Sequence, residues 1–204
     1  MNPHFIYNVM NTIQGLIYLD KKAETIDAIH RFAHLTRLTL EHSGVKEVSV
    51  RDEIMLIKNY VETEQLLMGN NFTYAINFSE NIEDDFTFLP SLVVQPIVEN
   101  AIKHGLMHKE GEKHLQVFFN LDETENTLQI TVADNGIGRQ ASEKLNTQNT
   151  NKPKSLATNA INQRLQLLNE NRTQPITITT VDLKDDLDVS CGTKVIVNIP
   201  QQVD

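Results

Sequence analysis

Hydrophobic residues recur with two different periods along this chain, and the change of period divides it. Pro3 suits a first helical turn, and Phe5, Val9, Ile13, Leu16 and Ile17 follow it at helical spacing. After the polar break Asp20-Lys21-Lys22, a second stripe of Ile26, Ile29, Phe32, Ala33 and Leu38 stops near Ser43-Gly44. Residues 1–44 are thus expected to form a helical hairpin. Alone it is too small to be stable, and pairing with a second hairpin in a four-helix bundle would bury both apolar faces.

From about Val45 the period mixes. Val48-Ser49-Val50 is strand-like, Ser49 with Asp52 three residues on predicts a capping box, and Ile54, Ile57, Val61 and Leu66 carry a helix to Gly69-Asn70-Asn71. Phe72, Tyr74, Ile76 and Phe78 alternate as a strand. Next come a helix capped at Ser91, kinked by Pro96 and ended by Gly105, and two strands around 115–119 and 127–133. A helix over 158–169 and paired strands over 176–183 and 193–199 complete the pattern. The expected fold class is α+β. The hairpin precedes, over 45–204, an α/β sandwich whose mixed sheet is covered on one face by helices.

Composition narrows the field. The net charge of −9 argues against a nucleic-acid-binding surface. No run approaches the ~20 apolar residues of a membrane-spanning helix. Cys191 is the only cysteine, which excludes an internal disulfide and reads as a small core filler.

Two stretches carry chemistry. In Val98-Glu99-Asn100-Ala101-Ile102-Lys103-His104-Gly105, the residues Val98, Ala101 and Ile102 form a buried stripe and leave Glu99, Asn100, Lys103 and His104 together on the other side. An ordinary solvated helix face has the same appearance. As chemistry, the Asn100 amide oxygen suits Mg²⁺, which takes one or two protein groups plus phosphate oxygens and water, while Lys103 and His104 can meet phosphates. The second stretch, Asp134-Asn135-Gly136-Ile137-Gly138, follows the alternating Leu128, Ile130 and Val132. An ionised Asp134 is acceptor-only: it can take the exocyclic amino group of adenine, and it repels the acceptor that guanine presents there. Gly136 and Gly138 permit positive φ and close backbone approach, although Asp-Asn-Gly is equally a common hairpin turn. Paired in this order, the two stretches read as an ATP pocket.

The sequence resembles the transmitter module of sensor histidine kinases of the LytS/YehU type, whose ATP-binding domain belongs to the GHKL group. Asn2-Pro3-His4-Phe5-Ile6-Tyr7-Asn8 matches the phosphoacceptor motif, Gln95 to Gly105 the asparagine box, Asp134 to Gly138 the first glycine box, and Gly192-Thr193 the closing Gly-Thr. The resemblance implies that His4 accepts the γ-phosphoryl group of ATP, that Asn100 holds Mg²⁺, and that Asp134 reads adenine. Lys103, His104, Gly136, Gly138 and Thr193 would complete the nucleotide site. It further implies a homodimer, a response regulator of the LytTR type as the next phosphate acceptor, and a place as the cytoplasmic portion of a bacterial inner-membrane sensor, with the membrane reached only through a preceding region.

Three features temper or extend that picture. In place of a second glycine box stands Ser155-Leu156-Ala157. A positive φ there would cost an alanine about 1 kcal/mol and weaken nucleotide binding. Between Gly138 and Ser155 the chain is rich in Asn, Thr, Gln and Lys, which predicts a mobile loop, the family's ATP lid, with Lys144, Lys152 and Lys154 able to touch phosphates. Phe5 occupies the place where many histidine kinases carry an acidic residue. Asn8, one turn on, can fix the tautomer of His4, and Glu99 can accept a proton once the parts dock. The other histidines offer little: His104 and His108 at i, i+4 with His114 nearby lack an acidic or thiolate third ligand for zinc, and His30, His34 and His42 fall on a polar flank or bundle seam. Rival functions are a pseudokinase scaffold with weak nucleotide binding, and a GHKL ATPase or protein-serine kinase.

Overall fold

The computed structural model describes residues 3–68, 71–149, 156–170, 172–186 and 188–201. Two helices, α1 (Pro3–Tyr18) and α2 (Lys22–Ser43), form the expected hairpin. A short strand β1 (Glu47–Ser49) leads into α3 (Val50–Met68), whose start Ser49 caps by accepting the Asp52 N–H at 3.1 Å. Strands β2 (Phe72–Phe78) and β3 (Phe88–Pro90) precede α4 (Gln95–Asn100), which continues as a π-helical turn over Ala101–Leu106. The remainder is β4 (Lys113–Asp122), β5 (Thr127–Asp134), α5 (Gly138–Asn149), α6 (Leu156–Asn169), β6 (Thr177–Lys184) and β7 (Ser190–Pro200).

Five strands make one sheet in the order β2-β4-β5-β7-β6, with β2 parallel to β4 and every other pair antiparallel; β1 and β3 pair separately. Alternation along each strand directs one row of side chains inward. Leu115, Val117 and Phe119 of β4, Leu128, Ile130 and Val132 of β5, and Val197 and Ile199 of β7 are all buried. Against them pack Leu56, Ile57, Tyr60 and Val61 of α3 and Ile97, Val98, Ile102 and Leu106 of the box helix. The hairpin joins the same core through Phe5, Val9, Ile13, Leu35 and Leu38.

Several expectations need correction. Pro96 falls in the first turn of α4, where its missing N–H has no helical partner to lose, so it begins the helix and does not kink it. Ser91 is no cap: its hydroxyl donates to the carbonyl of His42 at 2.5 Å. The helix passes through Gly105 to Leu106. On α2 the inward residues are Thr25, Ala28, Leu35, Leu38 and His42, while Ile26, Ile29 and Ala33 face outward. His42 is accordingly buried, not on a polar flank. Much of the presumed loop after Gly138 is the helix α5; Lys152, Lys154 and Ser155 lie outside the described residues. Ala157 stands in the helical backbone of α6, so the positive-φ penalty does not apply to it.

Candidate nucleotide and phosphoacceptor site

The two chemical motifs, thirty residues apart, meet in space. On β5 the buried positions are 128, 130, 132 and 134, so Asp134 occupies the inner-face register that its apolar predecessors set. Its carboxylate lies directly beneath Gly105: a Cβ on that glycine would stand 2.6 Å from Asp134 Oδ1. Gly136 is equally constrained, since a Cβ there would approach the Gly105 carbonyl oxygen to 2.6 Å. The Gly136 N–H donates to Asp134 Oδ1 at 2.8 Å and the Ile137 N–H to the Gly105 carbonyl at 3.3 Å. Gly138, at φ +75°, lies against Ser190, and Gly192, at φ +150°, turns its open side to the Asp134 carbonyl. Thr193 is the register partner of Asp134 across β5 and β7. Of the two motif glycines only Gly138 needs a left-handed backbone; Gly136 is required by contact.

Burial raises the Asp134 carboxyl to about 6, against the pull of the Gly136 and Thr193 N–H groups and the Lys109 ammonium. At neutral pH it remains mostly ionised. The segment after the box is tied to the end of β5 by Asn135, whose Oδ1 accepts the His114 N–H at 2.8 Å and whose amide donates to the Glu112 carbonyl at 3.2 Å. Lys109 Nζ donates to the Asn135 carbonyl at 2.6 Å. These bonds hold Gly105 and Asp134 in register.

The polar face of the box helix divides. Glu99, Asn100 and Lys103 are half-buried. His104 is half-buried beside them, its pKa lowered by burial, then by Lys103 and His108. Glu99 and Lys103 line a cleft closed on one side by Phe5 and Asn8 of α1 and on the other by Tyr60 and Glu64 of α3. The Phe5 and Tyr60 rings are 5.2 Å apart, and the Tyr60 hydroxyl donates to Glu64 Oε1 at 2.7 Å. His4 lies in the first turn of α1, next to Phe5; its side chain lies outside the described residues. Asn8, Glu99 and Lys103 therefore share one cleft, while Asp134, Gly136, Gly138 and Thr193 lie together where β5 ends beside β7, against Gly105 of the box helix. Sequence reasoning missed Gly105 as the surface against Asp134, and missed Tyr60, Glu64 and Lys109.

Comparison with known proteins agrees with this geometry. The histidine kinase family model matches residues 1–72. The YwpD protein of Bacillus subtilis (strain 168) is 32% identical over 168 residues, 81% of this chain and 58% of its own length. The sensor protein LytS of Staphylococcus haemolyticus (strain JCSC1435) is 30% identical over 139 residues, 68% of this chain and 23% of its own. The chain thus spans under two thirds of these relatives. The histidine kinase domain of the Erythrobacter litoralis EL346 blue-light activated histidine kinase superposes with a TM-score of 0.52 at 12% identity, covering 98% of this chain and 96% of that one, which shows a shared fold. Residues 1–72 carry the pattern of the histidine kinase family, and the chain as a whole, with its hairpin, mixed sheet and converging motifs, is similar to the histidine kinases and among them to the LytS type of sensor.

Proposed function

We propose that this chain is the transmitter of a two-component sensor histidine kinase, with residues 1–44 as the phosphoacceptor and dimerisation part and 45–204 as the ATP-binding part. It binds Mg²⁺–ATP, moves the γ-phosphoryl group to His4, and passes it to an aspartate of a response regulator. The observation that carries this reading is the closure of the asparagine box onto the glycine box: the buried Asp134 carboxylate lies in a cradle of close glycine contacts, Gly105 against its side chain, Gly136 against the Gly105 backbone and Gly192 against its own carbonyl, with no room for a Cβ at any of them.

That cradle suits adenine. The ionised carboxylate accepts from an exocyclic amino group and disfavours a carbonyl at the same place. Asn100, half-buried on the box helix, supplies a hard oxygen donor of the kind Mg²⁺ accepts beside phosphate oxygens. When bound, that metal would neutralise charge developing on the transferred group. Lys103 adds a cation on the same helix, one turn from Glu99. Phe5 seats the start of α1 against Tyr60, which brings the backbone of residue 4 beside the cleft that Glu99 lines. Such docking replaces a bimolecular encounter by an oriented one. The LytTR type of regulator and the inner-membrane setting follow from the resemblance to LytS. Among the described residues no helix is long and apolar enough to cross a membrane.

The test is an autophosphorylation assay with γ-labelled ATP and Mg²⁺ on the whole chain, with His4→Ala beside it. Acid-labile label that disappears in His4→Ala is the expected result. Released phosphate with unlabelled protein would select an ATPase, acid-stable label a serine kinase, and neither with intact folding a scaffold.

A further inference from the structure

The glycine box ends at Gly138, and the next residue, Arg139, reaches away from it to the edge strand of the sheet. Its Nε donates to Asp182 Oδ1 at 2.6 Å and its Nη2 to Asp182 Oδ2 at 2.7 Å. Two parallel bonds from one guanidinium to one carboxylate are the ion-pair geometry that keeps its strength near solvent. That bond is the first cause holding Asp182 below the ordinary carboxylate range, while the nearby Lys184 is engaged by Asp188 at 2.6 Å. The place of Asp182 in the sheet gives the pair its meaning. Asp134 stands opposite Thr193 across β5 and β7, and Thr193 stands opposite Asp182 across β7 and β6. The three therefore form one row on one face of the sheet, with Asp182 two strand spacings, about 10 Å, from Asp134. The chain leaves that row at Asp134, passes Gly136 and Gly138, and returns to it through the Arg139 side chain.

We propose that Arg139 and Asp182 are positioning residues of the nucleotide site: their ion pair closes a ring from Asp134 through the glycine box to Arg139, across to Asp182 and back through Thr193, and so fixes the glycine turn against the sheet. This rests on the reading of Asp134 as the acceptor of the base. Within the ring, the Thr193 and Gly136 N–H groups both pull on the Asp134 carboxylate, one from β7 and the other from the turn. The first is held by the ladder between β5 and β7; the second depends on where the turn sits. Gly138, at φ +75° and with no room for a Cβ beside Ser190, supplies the bend, and as a glycine it is also the softest link in the ring. Arg139 restrains the chain at the residue after that bend, where α5 begins and packs against β7 and β6. On the near side of the bend, the Ile137 N–H is tied to the Gly105 carbonyl. A turn held at both ends spares nucleotide binding the ordering of that turn. The pair itself makes no contact with nucleotide, so its effect falls on affinity and not on the transfer.

The test is titration calorimetry of the whole chain with Mg²⁺–ADP, beside the ATP dependence of autophosphorylation, on Arg139→Ala, Asp182→Asn and the exchanged pair Arg139→Asp with Asp182→Arg. Both side chains lie at the surface, so these changes leave the core untouched. Either single substitution should weaken ADP binding and raise the KM for ATP by about three- to tenfold, with the saturated rate within about twofold of wild type, and the exchanged pair should recover most of the loss. An arginine that met the phosphates directly would give another pattern: Asp182→Asn would leave affinity unchanged or tighter, and the exchange would recover nothing, which would overturn the proposal. A contribution to folding alone would lower the urea midpoints with affinity intact, and would overturn it equally. A wild-type chain that binds no Mg²⁺–ADP would instead overturn the nucleotide reading of the site on which the proposal stands.

Discussion

Asp134 shows how much one residue's place in an alternation decides. Counting by twos from Leu128 puts it on the inner face, and that much can be read from the sequence. What covers it cannot, because contact between Gly105 and the carboxylate depends on how a helix and a strand distant in sequence lie together. Gly105 thus looks like a helix terminator and is in fact a surface. Asp134→Asn keeps the volume but loses the charge-assisted acceptor, at a cost of roughly 1.5–3 kcal/mol. Titration calorimetry should show ATP binding about ten- to a hundred-fold weaker. Unchanged affinity would remove Asp134 from the adenine contact. At Ala157 the sequence misleads in the opposite direction: the penalty expected of a missing glycine vanishes because the residue is helical.

Among the elements, α3 packs against α1, α2, α4, β1 and β2, and its pattern was only partly legible. Leu56, Ile57, Tyr60 and Val61 announce its apolar stripe, yet Glu53 and Glu64 occupy the same stripe at helical spacing. A carboxylate in an apolar register is a sequence signal for a special site; which site depends on the helices packed against it. Glu64 meets the box helix and α1. Glu53, fully buried, lies 3.9 Å from His42 Nδ1 at the end of α2. Just beyond, Ser91 donates to the His42 carbonyl and accepts from Arg164 of α6.

Burial raises Glu53 from its ordinary 4.5 to about 7, opposed by the Gln95 and Val94 N–H groups and Arg164. Because the folded value is the higher one, this contribution to stability is complete below about pH 4.5 and is lost as pH rises through about 7. The loss is on the order of 3 kcal/mol. His42 has the opposite sign, burial lowering its pKa, so its contribution holds above its ordinary 6.5 and fades as pH falls through the folded value. Urea midpoints should therefore drop between pH 6 and 8.5 in the wild type, and Glu53→Gln should flatten that slope. An equal slope in both proteins would assign the effect elsewhere.

For the whole molecule, α2 presents two apolar faces. One enters the shared core; the other carries Ile26 at 56% and Ile29 at 45% exposure, and α1 likewise exposes Tyr7, Met10 and Ile17. Exposed apolar residues at helical spacing on both helices of the hairpin are what a second hairpin of the same kind would cover. Of the stripe read from the sequence, Leu38 enters the core and Phe32 packs against it, while Ile26, Ile29 and Ala33 face away, a division that periodicity could not give. The double substitution Ile26→Glu, Ile29→Glu should weaken self-association by at least about tenfold, read by sedimentation velocity, with the far-ultraviolet spectrum preserved. An undisturbed dimer would place the interface on another surface.

The π turn of Ala101–Leu106 has a consequence for how the chain tolerates change of length. Such a turn holds one residue more than an α-helical one, equivalent to a single insertion. Deleting one residue within it would let the helix return to regular winding with the chain beyond still in register, whereas one more residue ahead of Gly105 would rotate everything beyond by about 100°. Gly105 would swing off Asp134, and the Gly105 carbonyl would leave the Ile137 N–H. Substitutions on the outer side of this turn, and even the loss of one codon, can be absorbed, whereas a gained codon would break the nucleotide pocket at a single stroke, without altering any residue of the glycine box.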